Sequence, residues 1–163
     1  VRSFGLPSTW SRTQPDIRRV PPLKGEQSSE VLAECFANGA LHPAKAVEGR
    51  AVYHDPCYLG RYQNIYDEPR QVAAQSGHLV EAPRHGERSF CCGAGGGLAF
   101  LGEEKGSRVN HERAKELAAT GADIVAAACP FCNTMISDGV KVREKEEAVS
   151  VLDIAELVER SIV

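Results

Sequence analysis

A parallel α/β fold is predicted by three features of the sequence. Short apolar runs at 50–53, 79–80, 123–128 and 149–151 alternate with segments of helix length. That alternation marks βα units, whose strands pair in parallel because each crossover returns the chain to the same edge. The run Asp123-Ile-Val-Ala-Ala-Ala128 is apolar almost throughout, as a strand covered on both faces must be. Two of the runs lead into cysteines, Cys57 and Cys129, at the carboxyl end where open parallel sheets gather their ligands. The expected architecture is a Rossmann-like parallel sheet of about four strands with flanking helices, preceded by a mostly extended N-terminal arm.

Residues 1–27 carry Pro7, Pro15, Pro21 and Pro22, scattered charge and no hydrophobic period. Proline fixes φ and removes an amide donor, so this stretch reads as an arm or as the linker from a preceding domain. Residues 28–163 then form the folded domain. Its first helix starts at Ser28, presents Val31, Leu32, Cys35 and Phe36 on one face, and stops at Asn38-Gly39. Cys35 on that face reads as a small buried hydrophobe. Arg50–Tyr53 is the first strand, and it runs into His54-Asp-Pro-Cys57. A loop over 58–66 leads to a helix that Asp67 caps, with Pro69 in its first turn and Gly77 at its end. Leu79-Val80 is the second strand, closed by Pro83.

Arg84 to Gly102 is a long loop without a period; loops of that length inside compact domains are usually functional or disordered, and its two cysteines and its glycines argue for functional. A helix from about Glu103 follows, with Ala114, Leu117, Ala118 and Gly121 in step. The third strand, 123–128, ends on Cys129-Pro-Phe-Cys132, which opens a helix carrying Met135 and Ile136 and stopping near Gly139. Val149–Val151 is the fourth strand. Asp153 and Glu156 form a capping pair for a last helix with Ile154, Leu157, Val158 and Ile162 inward.

Composition narrows the function. The chain has 163 residues, a formal net charge of -3 and no Lys/Arg block, and aromatics are only 6%. Neither the electrostatic footprint of a nucleic-acid binder nor a stacking platform is present. No apolar run reaches the roughly 18 residues of a membrane span. No signal peptide opens the chain, and it begins with Val rather than Met, which reads as a fragment or a processed chain. The six cysteines are under 4% of the residues, far below the roughly 8–10% of a disulfide scaffold.

Five of those cysteines follow the pattern C-x33-C-C-x36-C-x-x-C: Cys57, Cys91, Cys92, Cys129 and Cys132. Each group follows a strand, so in a parallel sheet all five thiols gather at one edge. Cys129 and Cys132 also sit where a helix N-terminus offers free N–H groups, which favour thiolate. One zinc takes four ligands, and neighbouring cysteines do not easily fill two corners of a tetrahedron. A cubane cluster also takes four. Five thiols with an adjacent pair suit a larger, less regular iron–sulfur assembly. Gly93, Gly95, Gly96 and Gly97 would let backbone N–H groups approach its sulfurs. Other readings are weaker. Gly93-Ala-Gly-Gly-Gly97 lacks the third glycine of a dinucleotide fingerprint, and no GK[ST] follows for a phosphate loop. A nucleophilic Cys91 or Cys92 beside His85 or His54 leaves the other thiols unexplained.

His54-Asp-Pro-Cys-Tyr-Leu-Gly-Arg61, Ser89-Phe-Cys-Cys-Gly-Ala-Gly-Gly-Gly97 and Ala128-Cys-Pro-Phe-Cys132 resemble the cysteine-rich CCG domain of the heterodisulfide reductase B/D family. The stretch from about 48 to 163 is similar to the C-terminal CCG domain of larger iron–sulfur reductases. The resemblance implies that the five cysteines ligate a noncubane [4Fe-4S]-type cluster, with zinc as the alternative because some CCG motifs bind it. It also implies an oxidoreductase component working with a redox partner, a flavoprotein or a ferredoxin-like protein. Electrons would pass from electron-transfer flavoprotein or a hydroxy-acid dehydrogenase toward quinone. A location in the cytoplasm follows, or at the cytoplasmic face of the cell membrane through partners or a preceding segment. Full members carry two CCG motifs; this chain carries one. His54 and Asp55 read as hydrogen-bonding a cluster sulfur or as capping the loop, with His54, Gly93 and Gly95 the candidate cofactor contacts. Arg61 and Arg88 read as charge compensation or as surface arginines, the tyrosines as packing, and His42, His78 and His111 as surface.

Overall fold

The structure is a computed structural model that describes residues 27–101, 106–142 and 149–162. The arm expected over 1–27 lies outside these apart from Gln27, as do Gly102 and the helix start expected at Glu103. The elements run α1 (Ser28–Ala37), β1 (Val47–His54), α2 (Gly60–Gln63), α3 (Asp67–Ser76), β2 (Gly77–Val80), α4 (Leu98–Leu101), α5 (Val109–Ala119), β3 (Ile124–Ala127), α6 (Pro130–Lys141), β4 (Ser150–Asp153) and α7 (Ile154–Ile162).

The four strands form one parallel sheet in the order β2-β1-β3-β4. Strand order reverses between β1 and β3, and at such a reversal the two following loops part and leave a crevice at the carboxyl edge. The register pairs Tyr53 with Ala126 and His54 with Ala127, so both chains leave the sheet side by side. Alternation of side chains splits the core into two layers. Val52, Val125 and Ala127 pack with Ala114, Leu117, Met135 and Ile136 of α5 and α6. Ala51, Tyr53, Ile124 and Ala126 pack with Phe36, Val72, Ile154 and Leu157 of α1, α3 and α7. The expected sheet and its helical cover are both present.

Several boundaries differ from the sequence reading, each for a physical reason. β1 begins at Val47, three residues before Arg50, because its outer half is exposed and carries no apolar signal. A bulge separates the two halves at Gly49, whose φ of +88° and contact with Asp123 leave no room for a side chain. Asp123 accepts the Arg50 backbone N–H at 2.8 Å across that gap. In α1 the cap is Gln27, paired reciprocally with Glu30, and the buried face is Ser29, Ala33 and Phe36. Val31 is exposed and Cys35 half-buried, so the face laid against α3 and α7 is that of Ser29, Ala33 and Phe36. Residues 106–108 are not helical and α5 starts at Val109. Ile162 is partly exposed, its place on the inner face taken by Ser161. The expected cap of α7 is present: Asp153 N–H donates to Glu156 at 2.7 Å and Ala155 N–H to Asp153 at 2.9 Å.

Gly139 does not end α6, which continues to Lys141. It is instead the point where α6 touches α5, since a Cβ there would lie 2.7 Å from the Asn110 carbonyl oxygen and 2.8 Å from Ala114 Cβ. Asn110 bridges the same crossing through its side-chain N–H to Met135 O and to Asp138. Gly139→Val should therefore separate the two helices and lower stability by about 2 kcal/mol or more, read from chemical denaturation.

α5 is tied to the loop after β2 by charge. Glu116 accepts from the Arg84 backbone and guanidinium, both at 3.0 Å, and from Arg113 at 2.9 Å. Burial raises the Glu116 carboxyl, but Arg84 and Arg113 outweigh it and hold the group below its ordinary 4.5. A carboxyl depressed on folding stabilises above its unfolded value and loses that contribution as pH falls through the folded one. Glu116→Gln should cost about 2 kcal/mol at neutral pH. The gap from wild type should start to close as pH falls through about 4.5 and should vanish only below the depressed folded value, where the wild-type side chain is neutral as well.

Candidate metal centre

The crevice at the reversal point is lined by His54–Cys57 from the end of β1, by Ser89–Cys92 from the loop after β2, and by Cys132 from α6. A buried carboxylate assembles it. Asp55 accepts two hydrogen bonds from Arg70 of α3, at 2.6 and 3.0 Å, and one from the Gly86 N–H at 2.8 Å. The Asp55 carbonyl faces the Ser89 hydroxyl at 3.5 Å, and Arg61 donates to the Ser89 carbonyl. The loop that sequence left without period is thereby ordered: it makes 3-10 turns at Gly86–Arg88 and Gly95–Gly97, then enters α4.

All six cysteines are free thiols. Cys92 and Cys132, forty residues apart in sequence, stand 3.4 Å apart through their sulfurs, both buried. Cys91 bears on Cys92 and Cys129 on Cys132 strongly enough to move their protons, so the four thiols act as one group. Cys57 lines the same crevice. Cys57, Cys91 and Cys129 are half-buried, giving the group a closed floor and an open side. Cys35 stands apart, on α1 in the opposite layer.

Backbone N–H groups border the sulfurs. Gly93 N–H donates to Cys91 Sγ at 3.3 Å, and Ala94 N–H to the Cys92 sulfur. No conventional side-chain cap closes the start of α6, where Pro130 follows Cys129. The N–H groups of Phe131 and Cys132 act on the Cys129 sulfur instead. Gly93 combines φ +89° with close contact to Val109 and Asn110, so its freedom from a side chain seats the loop on α5. Gly95 has open space where a side chain would be.

The thiols divide their protons. Cys132, then Cys91, hydrogen-bond the Cys92 sulfur and draw it far below the ordinary thiol value, against burial and with help from His54. The Cys132 thiol, opposed by burial and aided by backbone N–H groups, brings Cys129 down to about 6. Cys91 is pushed up by Cys92 and by burial, and Cys132 by Cys129, Cys92 and burial. Thiolates this close repel, so the group holds mixed charge until a cation offsets it. Soft thiolates with N–H donors around them are the donor set that iron–sulfur clusters and zinc take. The residues present fit either.

His54 is buried, and its ring lies within 4.8 Å of Cys92 and Cys132 through their ligand atoms. Burial, opposed by the Cys92 hydrogen bond, lowers its pKa. His85 is turned away, its Nδ1 2.6 Å from the Ala82 carbonyl. Arg61 lines the crevice, whereas Arg88 is exposed on its turn. His42 and His78 are on the surface and His111 is half-buried. Tyr53 is fully buried under Arg70, and Tyr58 and Tyr62 are exposed and stacked with centroids 5.2 Å apart. The sequence reading missed Arg70, half-buried, and Arg113, fully buried; an isolated arginine on a helix gives no local sign that its partner lies at the end of a distant strand.

Comparison with known proteins gives consistent relatives. The family model described as a cysteine-rich domain, CCG, matches residues 51–137. The chain is 42% identical over 136 residues to the probable iron-sulfur-binding oxidoreductase FadF of Bacillus subtilis (strain 168), covering 82% of this chain and 19% of that one. It is 42% identical over 137 residues to the EtfAB:quinone oxidoreductase of Syntrophomonas wolfei, covering 79% and 19%. It is 34% identical over 139 residues to the D component of the dihydromethanophenazine:CoB–CoM heterodisulfide reductase of Methanosarcina mazei, covering 84% and 34%. The chain thus spans between a fifth and a third of the length of these relatives. The matched segment contains all five gathered cysteines, and the protein belongs to the CCG cysteine-rich domain family.

Proposed function

We propose that this chain is the iron–sulfur domain of a larger oxidoreductase, folded from about residue 28. In this reading Cys57, Cys91, Cys92, Cys129 and Cys132 hold a noncubane [4Fe-4S]-type cluster, with His54, Gly93 and Gly95 beside it. The observation that carries the reading is the convergence of thiols from three strand ends, with Cys92 and Cys132 in sulfur contact at 3.4 Å. Such a cluster supplies one-electron redox chemistry when bound.

The chain's own residues do the rest. Asp55 and Arg70 hold the Cys57 and Cys91–Cys92 loops in fixed relation. N–H groups of Gly93, Ala94, Phe131 and Cys132 favour thiolate at the ligand positions. Cys92 and Cys132 form the dry floor, and the half-exposed Cys57, Cys91 and Cys129 face the side from which a partner approaches. The partner proposed is a flavoprotein or a ferredoxin-like protein, with electrons passing toward quinone or a disulfide; relatives named as an EtfAB:quinone oxidoreductase, a heterodisulfide reductase component and a membrane-anchored ferredoxin support that class. No helix among the described residues is long and apolar enough to cross a membrane. Association with the cytoplasmic face would then come through partners or other segments.

A second reading is a zinc-stabilised structural module, favoured by the His54, Cys92 and Cys132 ligand atoms lying within 4.8 Å of one another. Anaerobic purification separates the two. The proposed domain is brown and contains iron and sulfide; a colourless chain with stoichiometric zinc alone would sink the proposal. Cys91→Ser and Cys92→Ser should each lower bound iron at least tenfold, on the order of what lost metal-site contacts cost. Cys35→Ser should keep the wild-type iron content and visible spectrum.

A further inference from the structure

Arg113 is fully buried on α5, and its guanidinium is not spent on the surface ion pairs that arginines usually make. Its Nε donates to His54 Nδ1 at 3.0 Å. Its Nη1 donates to Glu116 and to the Arg84 carbonyl, both at 2.9 Å, which fixes the plane of the group. Its Nη2 is buried with no partner among the described residues. A guanidinium has only donors and does not lose its proton, so the His54 nitrogen facing it must be an acceptor. The ring hydrogen then resides on Nε2. That nitrogen is the one left free to face the thiols, and a His54 ring nitrogen lies within 4.8 Å of the Cys92 and Cys132 sulfurs. The contacts form a line from Glu116 through Arg113 and His54 to the most deeply set pair of thiols.

We propose that Arg113, anchored by Glu116, locks His54 in the Nε2–H tautomer so that it donates to the Cys92 sulfur and raises the reduction potential of the group held there. The lock stands on the hydrogen bonds alone; the effect on potential rests on the iron–sulfur reading above. Reduction adds one electron, taken from an external reductant, and places further negative charge on the sulfurs. A fixed N–H donor and a buried cation behind it stabilise that charge more in the reduced state than in the oxidised one. No bond breaks and no proton moves in the step. His54 and Arg113 are positioning residues here.

Two measurements on the full chain test this. The first is long-range 1H–15N correlation of labelled histidine in the metal-free protein at neutral pH. It should show His54 with a bare Nδ1 and a protonated Nε2, and Arg113→Met should mix the tautomers. The second is a mediated redox titration after cluster reconstitution. His54→Leu should shift the reduction equilibrium about tenfold toward the oxidised form, about 59 mV for one electron. His54→Gln, whose amide N–H stands in for Nε2–H, should stay near wild type; a role in packing alone predicts no such split between Leu and Gln. Arg113→Lys keeps the charge without the Nε–H and should shift potential in the same direction as His54→Leu, and it serves where Arg113→Met does not fold. A wild-type His54 carrying its hydrogen on Nδ1 overturns the lock. Equal potentials for wild type and His54→Leu overturn the effect on potential. A wild-type chain that takes up zinc and no iron overturns the functional reading together with the redox half, and the tautomer still decides the lock.

Discussion

The Asp55–Arg70 pair is the contact on which the site depends. Asp55 is nearly inaccessible, yet its two oxygens are met by two guanidinium nitrogens and one backbone N–H. A buried carboxylate with fewer partners would be costly, and removing either member of such a pair strands a charge. The pair links three pieces of chain that are far apart in sequence: the tail of β1, the first turns of α3 and the loop at Gly86. The first two cysteine segments are both tied at its Asp55 end, and Arg70 anchors that end to α3. Arg70 also reaches Glu81 at the end of β2 and covers the Tyr53 ring, so the carboxylate is coupled to the sheet itself.

A second charge assembly lies on the opposite face of the same strand. Tyr53 points to the layer of α1, α3 and α7, and His54, one residue later, to the layer of α5 and α6. Arg70 serves the first and Arg113 the second. The carboxyl end of β1 therefore sits between two largely buried guanidinium groups, each held by carboxylates. An anionic group in the crevice would find positive charge behind it on both sides, with Arg61 a further cation in the lining.

Much of this was legible in sequence because the signals were local. Asp123–Ala128 gave its strand by being apolar on both faces, and Asp153 with Glu156 gave the start of α7 through a three-residue spacing. The parallel sheet then followed from alternation, and the gathering of the five cysteines from the shared edge. What escaped depended on distant partners. The outer half of β1 is exposed, and its bulge is set by Asp123, seventy-three residues from Arg50. Gly139 reads as a helix stop until α5 is placed against it. His54 read equally well as a cap or a sulfur contact, and only Arg113, fifty-nine residues away, orients its ring. The Gly93–Gly97 run split into two parts: Gly93 is shaped by its contact with α5, while Gly95 borders open space.

The sheet order has a consequence for chain entropy. Because the crevice lies where the strand order reverses, any group that joins Cys57 to Cys132 closes a loop of about 75 residues through the middle of the sheet. In the cross-link model, one such closure removes unfolded-state freedom worth roughly 4 kcal/mol. The Cys91–Cys92 tether divides that loop near its middle and adds a second closure. A bound cluster would thus act as a staple on the unfolded chain as well as a redox group, and its loss would lower the stability of the whole domain.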